Sequence, residues 1–155
     1  MAQKTDKSIL AQNKKAFVDY EIFEKLEAGL VLTGAEVKSV RLSHVNLKGS
    51  FVEITSSGEA FVRNVHISPY KHATQKDYNP EHRRKLLLNK KEIENLDKEL
   101  STKGTTIVPL DLHLVHNRIK MTIGICRAKK KYDRREDLKK KAQNLEIRRA
   151  LKKYE

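Results

Sequence analysis

Positive charge is the most abundant chemically useful feature of this sequence. Lys and Arg total 33 against 20 for Asp and Glu, so the net charge is +13 and the pI is near 9.8. A surplus of this size favours a polyanionic partner, and nucleic acid is the leading candidate. A compact polar and basic group, Lys38, Ser39 and Arg41, could form a binding edge if one element holds it in place.

Residues that could catalyse a reaction or bind a metal form no recognisable pattern. No two of the six histidines have the i, i+4 spacing of a helical zinc motif, and there is no glycine-rich phosphate loop. The lone Cys126 can form neither an internal disulfide nor a cysteine zinc site. We therefore expect no metal, no cofactor and no enzymatic activity, and a nuclease with scattered ligands is the enzyme alternative.

The sequence also bears on where the protein works. No apolar run approaches the roughly 18 residues that a membrane span needs. The first residues lack the apolar core of a secretory signal, and a single cysteine suits a reducing compartment. We expect a cytoplasmic protein with no membrane partner.

A capping pattern predicts the element that holds the basic edge. Thr33 is followed three residues later by Glu36, so a short helix should begin here and run to about Leu42. Val37 and Val40 lie on one face of such a helix and can pack inward. Lys38, Ser39 and Arg41 would then point elsewhere, as a polar edge on an anchored helix.

The other elements are predicted from periodicity and turn chemistry. Residues 51–55 and 60–65 should form a hairpin, and residues 110–114 and 119–125 should form a longer one. Asn89 and Glu92 predict a second helix that Gly104 ends. Residues 68–80 should be a loop whose Tyr70 and Tyr78 either stack on bases or act as wedges. Residues 17–32 fit a helix or a strand equally well.

Charge and periodicity divide the chain into three parts. Residues 1–12 are predicted to be a flexible N-terminus, residues 13–126 a folded β-rich domain, and residues 127–155 a basic tail that carries +8 of the net charge. The tail has too few large apolar residues to order itself alone. For the folded part, a Greek-key barrel of the OB type and a mixed α+β sandwich both fit the pattern.

Several motifs resemble a known family, small protein B, the SsrA-binding proteins of bacteria. The resemblance spans nearly the whole chain from Asn13 onward. Its motifs, in order, are Asn13-Lys14-Lys15-Ala16, Glu27-Ala28-Gly29, Gly34-Ala35-Glu36-Val37-Lys38-Ser39 with Arg41, Asn46-Leu47, Arg84-Lys85-Leu86-Leu87-Leu88, Lys103-Gly104, Val108-Pro109-Leu110, Lys129-Lys130 and Tyr132-Asp133-Arg134-Arg135.

The resemblance implies a mainly β fold with short helices, an OB-fold-like closed β-barrel of about six antiparallel strands, and a basic C-terminal tail. It makes residues 17–32 a bent strand. It also implies the partners: the tRNA-like domain of transfer-messenger RNA and the stalled ribosome, including its small-subunit rRNA, decoding centre and mRNA channel. Elongation factor Tu would take part indirectly, in the delivery complex. The family's role is that of an RNA-binding adaptor in trans-translation, not an enzyme.

The resemblance implies two sets of contact residues. A folded RNA is recognised by its shape, its phosphates and its unstacked bases, which suits cations and short polar groups on a rigid domain. The RNA-binding set is Asn13, Lys14, Lys15, Glu36, Lys38, Ser39, Arg41, Arg84, Lys85, Lys129 and Lys130. The tail, disordered when free and helical on the ribosome, would use Asp133, Arg134, Arg135, Lys139, Lys140, Arg148 and Arg149.

Two points stay open in the sequence. Glu36 could be a helix cap alone, or it could accept from a base edge or hold a neighbouring Arg. The chain also departs from the family's usual residues: Ala35 replaces Thr, Ser43 and Ala128 replace Gly, and Asn89 replaces His. Ala128 could change the angle at which the tail leaves the domain.

A general ribosomal or tRNA-binding protein without specificity for transfer-messenger RNA is the alternative function, and a tail-driven binder of membrane surfaces or chromatin is a third.

Overall fold

The structure is a computed structural model that describes residues 8–73, 77–129 and 138–143. Its elements are mainly strands joined by short turns and helices. The strands are β1 Ser8–Gln12, β2 Tyr20–Leu30, β3 Val45–Asn46, β4 Phe51–Ile54, β5 Ala60–Arg63, β6 His66–Ile67, β7 Arg84–Leu87, β8 Thr105–Val115 and β9 Arg118–Ala128. The helices are α1 Lys14–Asp19, α2 Gly34–Arg41 and α3 Lys90–Leu100.

One antiparallel sheet of seven strands dominates the fold. Its strand order is β1-β8-β9-β2-β7-β5-β4, and β3 and β6 form a separate two-stranded sheet. The sheet curls until β4 packs against β8. No hydrogen-bonded pairing joins β1 to β4 among the described strands, so the sheet is open. The mainly β prediction is confirmed, but the closed barrel of about six strands is wrong.

Apolar side chains from both halves of the sheet fill the space inside the curl. Strand β9 contributes Met121 and Ile123, and α3 covers the same core with Leu96, which is completely buried. A smaller cluster, Ala16, Val108, Leu110 and Cys126, lies under α1. Cys126 is therefore a small buried strand residue.

Both predicted helix starts are confirmed by their caps. The hydroxyl of Thr33 accepts the N–H of Glu36, and the Glu36 carboxylate accepts the N–H of Thr33, which makes a capping box at α2. Asn89 and Glu92 make the same reciprocal pair at α3. Past α3, Gly104 has φ of +84°, a conformation that glycine adopts without strain.

The two predicted hairpins are also present. Strands β4 and β5 pair through the turn at Gly58, and β8 and β9 pair from Thr105 opposite Arg127 to Val115 opposite Arg118. His116 and Asn117, between β8 and β9, both have positive φ, which matches the right-handed twist of a tight hairpin. Residues 68–73 and 77–80 contain neither helix nor strand, as the loop prediction requires.

The start of the chain differs from the prediction. Residues 8–12 are not a flexible N-terminus, because β1 pairs with β8 from Ser8 to Gln12. Residues 17–32, which fit a helix or a strand equally well in the sequence, begin in a helix and continue as a strand: α1 ends at Asp19 and β2 begins at Tyr20. A bulge between Ile22 and Glu24 bends β2 as it pairs with β9. The bent strand implied by the family resemblance is thus present from Tyr20 onward.

The sheet continues to the predicted start of the tail. Strand β9 includes Arg127 and Ala128, and the N–H of Lys129 donates to the carbonyl of Asp19 at 2.8 Å. Ala128 lies opposite Tyr20 in regular pairing and is not among the described residues with positive φ. Ser43, the other replacement for glycine, does have positive φ, at +62°. Residues 138–143 are helical with every side chain exposed. The prediction that the tail orders on binding stays a prediction.

Candidate nucleic-acid interface

Helix α2 separates two kinds of charged and polar side chain. Glu36, Ser39 and Val40 are spaced i, i+3, i+4 and are all buried, whereas Lys38 and Arg41 are exposed. The helix therefore has an inner face with a carboxylate and an outer face with two cations. Val37, which the sequence places on the inner face, is only partly buried.

The buried carboxylate of Glu36 is the acceptor of a dense hydrogen-bond cluster. Its Oε2 accepts from Arg84 Nε at 2.6 Å, and His82 Nε2 lies 2.9 Å from the same oxygen. The hydroxyl of Tyr78 is 3.1 Å from this oxygen and 2.8 Å from the carbonyl of Ile67. The other carboxylate oxygen of Glu36, Oε1, accepts the N–H of Thr33 at 3.0 Å. We call these four side chains, Glu36, Tyr78, His82 and Arg84, the buried cluster.

Arg84 makes the cluster a structural junction. Its side chain is 0% exposed, and the Glu36 side chain is 1% exposed. Nη1 donates to the carbonyl of Val65 at 2.6 Å, and Nη2 donates to the carbonyl of Pro80 at 2.8 Å. One guanidinium therefore ties β7 to α2, to the connection between β5 and β6, and to the loop before β7. A planar group with several fixed donors is suited to this task, whereas an ammonium is not.

The cluster also sets the charge states of its acids. Burial alone would raise the pKa of the Glu36 carboxyl, but the Thr33 N–H, the Arg84 guanidinium and the His82 ring together hold that pKa below its usual value. Burial raises the pKa of the Tyr78 hydroxyl, and the charge of Glu36 adds to the effect. Glu36 therefore stays ionised inside the protein, and Tyr78 stays protonated.

The outer face of α2 presents its cations beside two loops. Lys38 Nζ lies 5.3 Å from the ring centroid of Tyr70, in the loop before β7. Arg41 Nη2 donates to the carbonyl of Asn117, at the β8–β9 turn, at 3.1 Å. Because the backbone beneath is anchored by the buried cluster, these two cations have a defined position.

A second group of cations surrounds the short helix α1. Lys14 and Lys15 are exposed, and Lys15 Nζ lies 4.0 Å from Asp19. Lys129 Nζ donates to the carbonyl of Phe17 at 3.5 Å, so the end of β9 brings its lysine to the same place. An open groove beside this helix is lined by Lys15, Lys48 and Ser50, among others.

Four of the predicted contact residues are inside the protein. Glu36, Ser39 and Arg84 are at most 2% exposed, and Asn13 is 7% exposed. The side chain of Asn13 caps α1 and donates to the carbonyl of Pro109 at 2.9 Å. The side chains of Asn13, Glu36 and Arg84 hold the helices that carry the exposed cations, whereas the hydroxyl of Ser39 is buried without a hydrogen-bond partner among the described residues. The role of these four residues as RNA contacts stays a prediction.

The remaining predicted contacts fall into four groups. Lys14, Lys15, Lys38, Arg41 and Lys129 are brought to the two surfaces just described. Lys85 is exposed on β7, where its Nζ lies 3.4 Å from Glu59. Lys139 and Lys140 are on the exposed helical segment. Lys130, Asp133, Arg134, Arg135, Arg148 and Arg149 lie outside the described residues.

Sequence reasoning missed the buried cluster, although a signal was available. Exposure alternates along β7, with Arg84 and Leu86 inward and Lys85 and Leu87 outward. The unbroken run of three leucines hid this alternation. A groove beside α2, with exposed Leu87, Arg118 and partly buried Lys120 in its walls, was also not predicted.

The described residues contain neither a candidate metal cluster nor a membrane-spanning helix. In residues 8–73, 77–129 and 138–143, no three His, Cys, Asp or Glu side chains are grouped as a metal site would require. None of the helices in these same ranges is both long and apolar enough to cross a membrane.

The fold and its exposed cations define a small basic protein built on an open antiparallel sheet. Comparison with known proteins makes the assignment specific. Residues 10–153 match the family model described as SmpB protein. The chain belongs to the SmpB family.

The relatives extend over the whole chain. An SsrA-binding protein of Lactococcus lactis subsp. cremoris is 49% identical over 154 residues, which cover 99% of each chain. An SsrA-binding protein of Enterococcus hirae is 48% identical, with 97% of each chain covered. Among solved structures, a chain from "tmRNA-SmpB: a journey to the center of the bacterial ribosome" matches with a TM-score of 0.66 and 36% identity. That match covers 83% of this chain and 93% of the solved one.

Proposed function

We propose that this protein binds the tRNA-like domain of transfer-messenger RNA, the SsrA RNA, and delivers it to stalled ribosomes for trans-translation. One observation carries the proposal: the chain aligns from end to end with SsrA-binding proteins at close to half identity. The solved relative is named for tmRNA and the bacterial ribosome, which agrees with this role.

The geometry supports an RNA partner in a specific way. The exposed cations Lys38 and Arg41 project from a helix whose inner face is fixed by the buried cluster. A folded RNA is recognised by the arrangement of its phosphates, so cations on a fixed backbone can select a shape where cations on a mobile chain cannot. Lys14, Lys15 and Lys129 around α1 form a second such group.

The finer parts of the role follow from the family and remain part of the proposal. The tail would contact the small-subunit rRNA near the decoding centre and enter the empty mRNA channel as a helix. Asp133, Arg134, Arg135, Lys139, Lys140, Arg148 and Arg149 are its proposed contacts. Elongation factor Tu would join the complex through the RNA. The protein would act in the cytoplasm as an adaptor without catalysis of its own.

The proposal is tested by the affinity for the tRNA-like domain measured against a bulk tRNA competitor across a salt series. A strong preference for the tRNA-like domain that persists at moderate salt is expected. Binding that ignores RNA identity and disappears as salt is added would contradict the proposal, because nonspecific polyanion binding has that signature. Equal affinity for both RNAs at every salt concentration would favour the alternative, a general tRNA-binding protein.

Truncation after Asp133 separates the folded domain from the tail. The truncated protein should keep its RNA affinity to within about tenfold, roughly 1.4 kcal/mol, because the folded surface makes those contacts. It should fail to rescue stalled ribosomes in a translation assay. A larger loss of RNA affinity, or intact rescue, would contradict this division of labour.

A further inference from the structure

Two tyrosines in the loop before β7 have different environments. Tyr78 belongs to the buried cluster, where its hydroxyl lies close to Glu36, Ile67 and Arg84. Tyr70 stands at the surface, with its ring next to the outer face of α2. Tyr78 thus packs inside the fold, whereas the ring of Tyr70 is partly exposed beside α2.

The surroundings of Tyr70 combine an aromatic face with cations. Lys38 Nζ lies 5.3 Å from its ring centroid, which is within the range of a cation–π contact. The ring of His72 meets it edge to face, with centroids 5.4 Å apart. Lys38, Lys71 and His72 are exposed, and Tyr70 itself is partly exposed. An aromatic ring therefore lies beside exposed basic side chains where α2 meets the loop, and we call these four residues the Tyr70 patch.

Two backbone hydrogen bonds order the loop around the Tyr70 patch. The N–H of Ser68 donates to the carbonyl of His44, just past the end of α2, at 3.0 Å. The N–H of Ala73 donates to the carbonyl of Tyr70 at 3.1 Å, which closes a turn after the tyrosine. The ring thus stands on a turn that is tied to the helix carrying Lys38.

We infer that Tyr70 is a stacking platform for an unpaired base of the bound RNA, with Lys38 contacting the adjacent phosphate. Protein surfaces that recognise folded RNA commonly stack splayed-out bases on aromatic rings beside a cation. A nucleotide offers both groups at once, a flat base and an anionic phosphate, and so matches the ring and the cation of the Tyr70 patch. The inference rests on the proposed function, since it assigns a base contact to that same RNA interface.

The experiment measures the affinity of full-length variants for the tRNA-like domain across a salt series. Tyr70→Phe and Tyr70→Trp keep a stacking ring, and Tyr70→Leu removes it. Phe23→Leu is the matched control, because Phe23 is an exposed aromatic residue that lies beside Arg127 near the end of α3, away from α2. Lys38→Gln is the comparison for loss of a phosphate contact. Thermal melts verify that each variant is folded.

The salt dependence separates stacking from charge. Tyr70→Leu should lower affinity by about fivefold or more, as expected for loss of one base–aromatic stack, with an unchanged salt slope. Tyr70→Phe, Tyr70→Trp and Phe23→Leu should stay near the wild type. Lys38→Gln should flatten the slope by about one unit.

Three results would overturn the inference. The first is a Tyr70→Leu variant that binds RNA like the wild type. The second is a Tyr70→Phe variant that loses as much affinity as Tyr70→Leu. The third is a Phe23→Leu variant that loses as much affinity as Tyr70→Leu. Failure of the proposed function is visible separately, because wild-type protein would then show no preference for the tRNA-like domain over bulk tRNA.

Discussion

The inner and outer faces of α2 both carry charged residues, but in opposite circumstances. On the inner face, Glu36 is ionised and buried, and Arg84, His82 and Tyr78 surround its carboxylate. On the outer face, Lys38 and Arg41 are exposed and make single contacts to neighbouring loops. The inner charges are committed to the fold, whereas the outer charges remain available to a polyanion. Exposure therefore decides which charged residues position the site and which bind.

The largest expected effect comes from breaking the inner face. Arg84→Met leaves the Glu36 carboxylate buried without its main partner, which should lower the free energy of unfolding by about 3–5 kcal/mol. Arg83→Met is the matched control in the adjacent residue. Arg83 is exposed and stacks on Phe61 with 4.1 Å from its guanidinium carbon to the ring centroid. Arg83→Met should lower the free energy of unfolding by at most about 1 kcal/mol. Urea unfolding that gave equal losses for the two variants would contradict the distinction between the two faces.

Acid should weaken the inner face selectively. Since the pKa of Glu36 is lower in the folded protein than in the unfolded chain, the folded state binds fewer protons and stability rises with pH. The stability that ionised Glu36 contributes is complete above the ordinary glutamate pKa of 4.5. It is lost as the pH falls through the lower pKa that Glu36 has in the folded protein.

Glu36→Gln isolates this contribution. The difference in unfolding free energy between wild type and Glu36→Gln should shrink between neutral pH and pH of about 3. Glu59→Gln is the control, because the Glu59–Lys85 pair is exposed and contributes little. A wild-type advantage over Glu36→Gln that does not change with pH would show that Glu36 is not held ionised by the cluster.

The smallest expected effect comes from the two helix caps. Thr33→Ala and Asn89→Ala each remove one side-chain acceptor and should each cost about 1 kcal/mol of stability. Only Thr33→Ala should also weaken RNA binding, by a few-fold, because α2 carries Lys38 and Arg41 whereas α3 carries no proposed contact. Equal RNA affinities in the two variants would indicate that cap strength does not affect the binding surface.

The two faces differ in how well the sequence predicts them. The capping box at Thr33 and Glu36 locates α2, and the exposure of Lys38 and Arg41 follows. Ser39 and Glu36 were not predicted to be buried, because the inward positions of a helix are normally recognised by apolar residues. Here a carboxylate and a hydroxyl occupy two of them. The partner that makes burial of the Glu36 carboxylate possible, Arg84, is 48 residues away in the sequence, so no local pattern reveals it.

The same limit applies to the sheet. Hairpins with tight turns were predictable because both strands and their turn are contiguous. Strand β1 was not, since Ser8–Gln12 has little strand signal of its own and is held by its pairing with β8 about 100 residues later. The closed barrel was wrong for a related reason: closure depends on whether the two edge strands meet, and β1 and β4 do not pair.

The most direct test of this account compares two pairs of exposed cations. The Lys38→Gln/Arg41→Gln variant removes the outer face of α2, and Lys90→Gln/Lys91→Gln removes the same charge from the exposed start of α3. Affinity for the tRNA-like domain is measured across a salt series for both. The α2 variant should bind more weakly and its salt slope should flatten by up to about two units, whereas the α3 variant should keep the wild-type slope. An unchanged slope for the α2 pair, or an equal change for both, would contradict this expectation.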